Sequence, residues 1–187
     1  CLTANRLRRG RGLQLLRMAS SAANARRNTL SPTERLFIWT AESAALRVIG
    51  MPDRAGQVAA RALALFTETP ESQWEQYAME MPLLCTHLGI SLYYGGRREQ
   101  AVRLFDEAAA LAASQGSGKA FHAVSLLGGI HALNGDLPEA RHYVEIIRDG
   151  SWDPAQLDGY RGTFYRVAEA MLAVEDGDLA AAKHHAR

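Results

Sequence analysis

Four glycines set the period of this chain. Gly50, Gly96, Gly135 and Gly177 are spaced 46, 39 and 42 residues apart, and each is followed five residues later by alanine: Ala55, Ala101, Ala140 and Ala182. Seven residues before each glycine stands another small residue, Ser43, Gly89, Gly128 or Ala170. Such self-similarity marks a stack of supersecondary units, none of which buries its apolar face alone.

The segments between these marks have helical character. Apolar stretches run into each glycine: Leu36 to Ile49, Leu83 to Tyr94, Phe121 to Leu133 and Tyr160 to Val174. After Gly96, the residues Ala101, Leu104, Phe105, Ala108 and Leu111 repeat at the spacing of one buried helix face. Ala and Leu dominate while Val and Ile are scattered, which favours helix over sheet. Ser31-Pro32-Thr33-Glu34 and Ser72-Gln73-Trp74-Glu75 read as capping boxes. Gly135-Asp136-Leu137-Pro138-Glu139 reads as a terminating glycine followed by an Asp cap; Gly177-Asp178 begins the same way, and Asp153-Pro154 caps a later helix. Two irregularities interrupt the pattern. Thr67 to Met81 is too long for a turn between repeats, and Pro82 breaks or kinks any helix from Gln73 to Tyr94. Gly150 to Gly159 reads as a loop carrying Trp152.

Each unit is thus a hairpin: one helix enters the glycine turn and a second returns antiparallel. The small residue on the first and the alanine on the second let the backbones approach. This arrangement resembles the tetratricopeptide repeat. Trp39 stands eleven residues before Gly50, where that family prefers an aromatic; Leu88-Gly89 and Leu127-Gly128 match its Leu-Gly pair. Phe105 matches the aromatic of its second helix, and Ala62 and Ala108 its last small position. The resemblance implies an all-α, right-handed superhelical solenoid of antiparallel helix hairpins. The usual repeat is about 34 residues, and these are longer. In that respect the chain resembles the sensor region of large LuxR-type, maltose-activator-like bacterial regulators, as do GGIHALNGDLPEARHYVEII and GTFYRVAEAMLAVEDGDLAAAKHHAR. The preference for Arg over Lys, 19 against two, suits a GC-rich bacterial genome.

Residues 1–32 form a basic helical segment, read as the tail of a preceding repeat, and residues 33–187 hold about four hairpins, the last truncated. The chain opens at Cys1 without an initiator Met and closes at Arg187 inside a helical pattern, so a fragment of a longer parent is expected. Eight arginines against Glu34 give residues 1–35 a charge of +7, leaving −6 for the rest. No aromatic interleaves that run as single-strand binding requires, so a solvated face is expected there. The two cysteines, Cys1 and Cys85, make no disulfide framework. With no apolar run of membrane length and no signal peptide, the expected compartment is the cytoplasm.

Catalytic signatures are absent. Gln115-Gly116-Ser117-Gly118-Lys119 fails as a phosphate loop: Ala113 and Ala120 occupy the places that need Gly and Ser or Thr. None of the six histidines forms a zinc-protease pair, and Cys85 with His87 has no matching second pair. His184 and His185 are expected to be exposed. No nucleophile elbow occurs. The expectation is a chain that is not an enzyme and holds no metal or cofactor.

What the resemblance implies is a binding groove along the concave face of the first helices. The residues it places there are Arg47, Thr86, Tyr93, Tyr94, His122 and Ser125. The occupant is a protein, a peptide or a small-molecule effector, and the neighbouring domains of the parent chain transmit its arrival. The alternative is a stand-alone adaptor that binds peptide segments of partner proteins. Nothing in the chain resembles the LuxR-type helix-turn-helix, so no base-specific DNA contact and no membrane contact is expected.

Overall fold

The computed structural model describes residues 10–14, 17, 18, 21, 29–114, 120–150, 152 and 154–186. The regular secondary structure among these residues is helical, with no strand. In chain order the helices are α1 (Pro32–Val48), α2 (Pro52–Glu68), α3 (Met81–Tyr94), α4 (Arg98–Ser114), α5 (Ala120–Leu133), α6 (Leu137–Asp149), α7 (Pro154–Asp158), α8 (Thr163–Glu175) and α9 (Leu179–His185). Short 3-10 turns occupy Glu71–Gln73, Glu75–Tyr77 and Tyr160–Gly162. Contacts divide the chain into two compact units, Cys1–Leu104 and Phe105–Arg187.

The four repeat glycines are the glycines with left-handed backbone among the described residues, with φ of 86°, 77°, 80° and 77° at Gly50, Gly96, Gly135 and Gly177. Each ends a helix in the same way. The glycine N–H donates to a carbonyl three residues back, and the next N–H reaches five back: Met51 to Leu46, Arg97 to Leu92, Asp136 to His131 and Asp178 to Ala173, at 2.8–2.9 Å. These bonds satisfy carbonyls that the helix end leaves open, and only glycine adopts the conformation without strain.

In the first unit α1 packs on α2, and α3 packs on both. Leu36, Ala45, Ala55, Ala59, Ala62 and Leu88 are fully buried. Here Gly56 of α2 meets Gly95, the C-cap of α3, so closely that a Cβ on Gly95 would lie 2.7 Å from the Gly56 Cα. A described helical stretch, residues 10–14, meets α1 in the same way: a Cβ on Gly12 would lie 2.9 Å from Cγ2 of Ile49, the C-cap of α1. The stretch before α3 is not a capped helix at Ser72. Instead the Trp74 indole, 5% exposed, donates to the Thr69 carbonyl at 3.2 Å and packs 5.6 Å from Phe66. Tyr77 sits edge-on to Phe37 at 5.3 Å. These aromatic anchors hold the chain in 3-10 turns. The helix starts at Met81, with Pro82 in its first turn where no N–H is needed.

In the second unit α5 packs on both α6 and α8, and α8 packs on α9. Twelve of the fourteen α5 residues are buried. The expected close approach of Gly128 to Ala140 is ordinary contact, 3.9 Å from a Cβ to the Ala140 carbonyl. The tight point is one residue on, where a Cβ on Gly129 would lie 2.6 Å from the Phe164 carbonyl of α8. α5 is sandwiched, and the second face needs the glycine more. The segment read as a loop contains α7, and Trp152 lies 5.5 Å from Phe121.

Capping follows the sequence at Ser31 and Asp178 and departs from it at Asp136, as it does at Ser72. Ser31 and Glu34 form both halves of the capping box, and the Asp178 carboxylate accepts the Ala181 N–H at 2.9 Å. Asp136 makes no cap bond; its carboxylate is taken by His131 Nδ1 at 2.9 Å. Asp153, most of the basic N-terminal run and the Gln115–Lys119 segment lie outside the described residues.

Candidate functional site

Arg47, Thr86, Tyr93 and Tyr94 belong to the first unit. Arg47 is in the last turn of α1, where a cation suits the negative helix end. It is half-buried, and its Nε is buried without a hydrogen-bond partner. Thr86 is 2% exposed and its hydroxyl donates to the Pro82 carbonyl one turn back at 2.7 Å, so its polar group is used inside the helix. Tyr93 and Tyr94 end α3 beside the left-handed Gly96. Their rings meet edge to face at 5.8 Å, and the Arg98 guanidinium lies over Tyr93 at 5.9 Å from its centre. Tyr94 is 51% exposed. Tyr93, Tyr94 and Arg98 therefore form an aromatic and cationic edge open to solvent. Arg98 was not foreseen in the sequence, although its place two residues after the turn glycine puts it within reach.

His122 and Ser125 belong to the second unit, one turn apart on α5. His122 is nearly buried and its ring faces exposed Tyr160 at 6.1 Å. Ser125 is fully buried, and its Oγ accepts the backbone N–H of Tyr165 at 2.9 Å. Thr86 and Ser125 are thus interior residues and present no polar group to a ligand.

Sequence reasoning missed a polar cluster around Glu169. This carboxylate is 5% exposed and accepts from Arg148 Nε of α6 at 3.0 Å, from the Tyr165 hydroxyl, and from His185 Nε2 of α9 at 3.0 Å. His185 is accordingly half-buried, not exposed as its terminal position suggests. Burial, and then the bond to Glu169, push the Tyr165 hydroxyl up to about 12; the bond to Glu169 also raises the Arg148 guanidinium. With three donors on one carboxylate the cluster ties α6, α8 and α9 together, its hydrogen-bonding capacity largely spent. The available signal was a single charge in the apolar run from Val167 to Leu172.

Nearby, the Tyr143 hydroxyl donates to Asp106 at 3.0 Å while its ring stacks on His131 at 5.6 Å. Burial, then the Asp106 charge, hold that hydroxyl above the ordinary tyrosine range. Arg141 pairs with Asp176 at 2.8 Å, joining α6 to the C-cap of α8. Cys85 is buried and forms no disulfide. Among the described residues no three His, Cys, Asp or Glu side chains are grouped to hold a metal ion, and no helix is long and apolar enough to cross a membrane. Compared with known proteins, the chain matches no family model, no curated protein and no solved structure.

Proposed function

We propose that this chain is a tetratricopeptide-like array of helix hairpins, a right-handed solenoid, acting as the ligand-sensing or protein-interaction module of a LuxR-type bacterial transcriptional regulator in the cytoplasm. The observation that carries the repeat reading is the set of four identical glycine turns. A second regularity supports it. The residue six after a turn glycine meets the C-cap of the next first helix, as Gly56 meets Gly95 and Arg141 meets Asp176. That register recurs within each unit, as a stack of like units requires.

The binding role rests on the edge formed by Tyr93, Tyr94 and Arg98, since aromatic and arginine side chains anchor partners more often than others. Arg47 of the same unit is a further contact, and His122 is a separate candidate within the second unit. A peptide or small effector docks there and changes the contacts of flanking domains, which hold the nucleotide and DNA sites.

The parent gene tests the regulator reading. A nucleotide-binding domain encoded before this segment and a short helix-turn-helix domain after it are expected. A reading frame with neither sinks the regulator and leaves a peptide-binding adaptor.

A further inference from the structure

Within the second unit, α8 is covered on two sides and bare on a third. α5 and α6 pack on one side of it and α9 on another. The bare side carries large apolar residues. Val167, Met171 and Val174 follow one another at four and three residues, the spacing of one helix face. Tyr160 stands in the turn before the helix, and Leu179 opens α9 just after it. Val167 is half-buried, and so is Met171, at the edge of the core that Leu172 enters. Val174 is 58% exposed, and Tyr160 and Leu179 are 71% and 70% exposed.

The glycine period tells what such a face receives. At the same distances before Gly135 as these residues stand before Gly177 are Ser125, Gly129 and Ala132 of α5. All three are buried, and α8 is the helix that covers them. Ser125 accepts the Tyr165 N–H, Gly129 lies against Phe164, and Ala132 packs with Ala168 and Leu172. Leu137, the counterpart of Leu179, is packed on the same core. The positions that receive a helix on α5 thus stand open on α8, and the residues there are larger and more apolar.

We propose that a second copy of this chain covers that face, α8 lying antiparallel on α8 of the copy about a twofold axis. The stripe is self-complementary in that direction. Turned end for end about a point between Ala170 and Met171, Val167 comes opposite Val174 of the copy, Met171 opposite Ala170, and Tyr160 beside Leu179. Charge agrees. Arg161 is exposed before the helix, and Glu175 and Asp178 are exposed at its far end. An antiparallel pair brings these opposite charges together, whereas a parallel pair would set like on like. Both copies use the same patch, so assembly closes at two. The seam is one short helix, and the dimer is accordingly weak and concentration-dependent.

Sedimentation velocity of the whole chain from about 1 μM to about 1 mM tests this. The mass rises from one chain to two and no further. Val174→Lys puts a charge into the seam from both copies and weakens the dimer by about tenfold or more. A cation suits the C-terminal end of a helix, so the fold is kept, and circular dichroism checks it. Ile146→Lys, exposed on α6 outside the seam, leaves the dimer unchanged. Oxidised cysteine variants report the direction. With Met171→Cys the two thiols meet across the axis and join. With Val174→Cys they stand about 10 Å apart along the helices, beyond the reach of a disulfide. The parent chain, with Cys1 and Cys85, sets the background. One-chain mass at every concentration, growth past the dimer, a dimer that Val174→Lys leaves intact, or any pattern other than joining through Met171→Cys alone overturns the proposal.

Discussion

The Ser125 hydroxyl of α5 accepts the Tyr165 N–H of α8 at 2.9 Å, across 40 residues of sequence. The N-cap of α8 is Gly162, which has no side chain to cap with. A residue on another helix therefore does the work that Ser31 does locally for α1. Ser125→Ala leaves a half-buried N–H unsatisfied and is expected to destabilise the fold by about 1–2 kcal/mol. Urea denaturation measures it, and hydrogen exchange should show the first turn of α8 opening first. Unchanged protection there would exclude the capping role.

The Gly56 and Gly95 contact separates steric from conformational cost. Gly56→Ala places a Cβ 2.9 Å from the Gly95 Cα, and backbone cannot swing aside as a flexible side chain does. A loss of about 1–3 kcal/mol is expected. At Gly96 a Cβ meets nothing within 4 Å, but φ is +77°. Gly96→Ala is expected to cost about 1 kcal/mol from the backbone alone. Equal losses at both sites by thermal melting would refute the close packing of α2 on α3.

Ala101 is fully buried at the start of α4. Ala101→Leu inserts three carbons where there is no room, and a loss of about 1–3 kcal/mol is expected. An unchanged melting temperature would contradict the hairpin register. Tyr94→Ala is the opposite case. With half of the ring in solvent, folding should change by no more than about 0.5 kcal/mol. Peptide or effector binding, read by titration calorimetry, should weaken well beyond that.

Tyr165 gives a pH prediction. Its hydroxyl ionises near 10 when unfolded and is pushed up to about 12 in the fold, chiefly by burial. The folded state therefore keeps the proton that the unfolded state loses. The stabilisation linked to this group is complete below pH 10 and is lost as pH rises through about 12. Glu169→Gln removes the carboxylate charge and weakens the bond that together add to burial. An ultraviolet titration should show Tyr165 ionising at lower pH than in the parent, yet still above 10. No change on that substitution would mean that the charge of Glu169 contributes nothing.

The period of the chain was legible because it is local chemistry. A left-handed turn needs glycine, so Gly50, Gly96, Gly135 and Gly177 appear in the sequence where α1, α3, α5 and α8 end. The faces of α4 and the box at Ser31 are equally local, set by 3.6 residues per turn and by one hydroxyl within reach of one N–H. What tertiary structure alone decided is which helix lies against which polar or small residue. Asp136 has the spacing of a cap, but His131 competes for its carboxylate. Ser72 and Glu75 have the spacing of a box, but Trp74 and Tyr77 turn inward onto Phe66 and Phe37. Thr86 and Ser125 were expected in a groove from their register, and packing puts them in the interior. Gly129, Glu169 and His185 acquire their roles only when α5, α6, α8 and α9 are stacked, because a distant partner leaves no mark on the local sequence. Sequence thus sets the glycine turns and the start at Ser31, while packing sets where α3 begins and what each face meets.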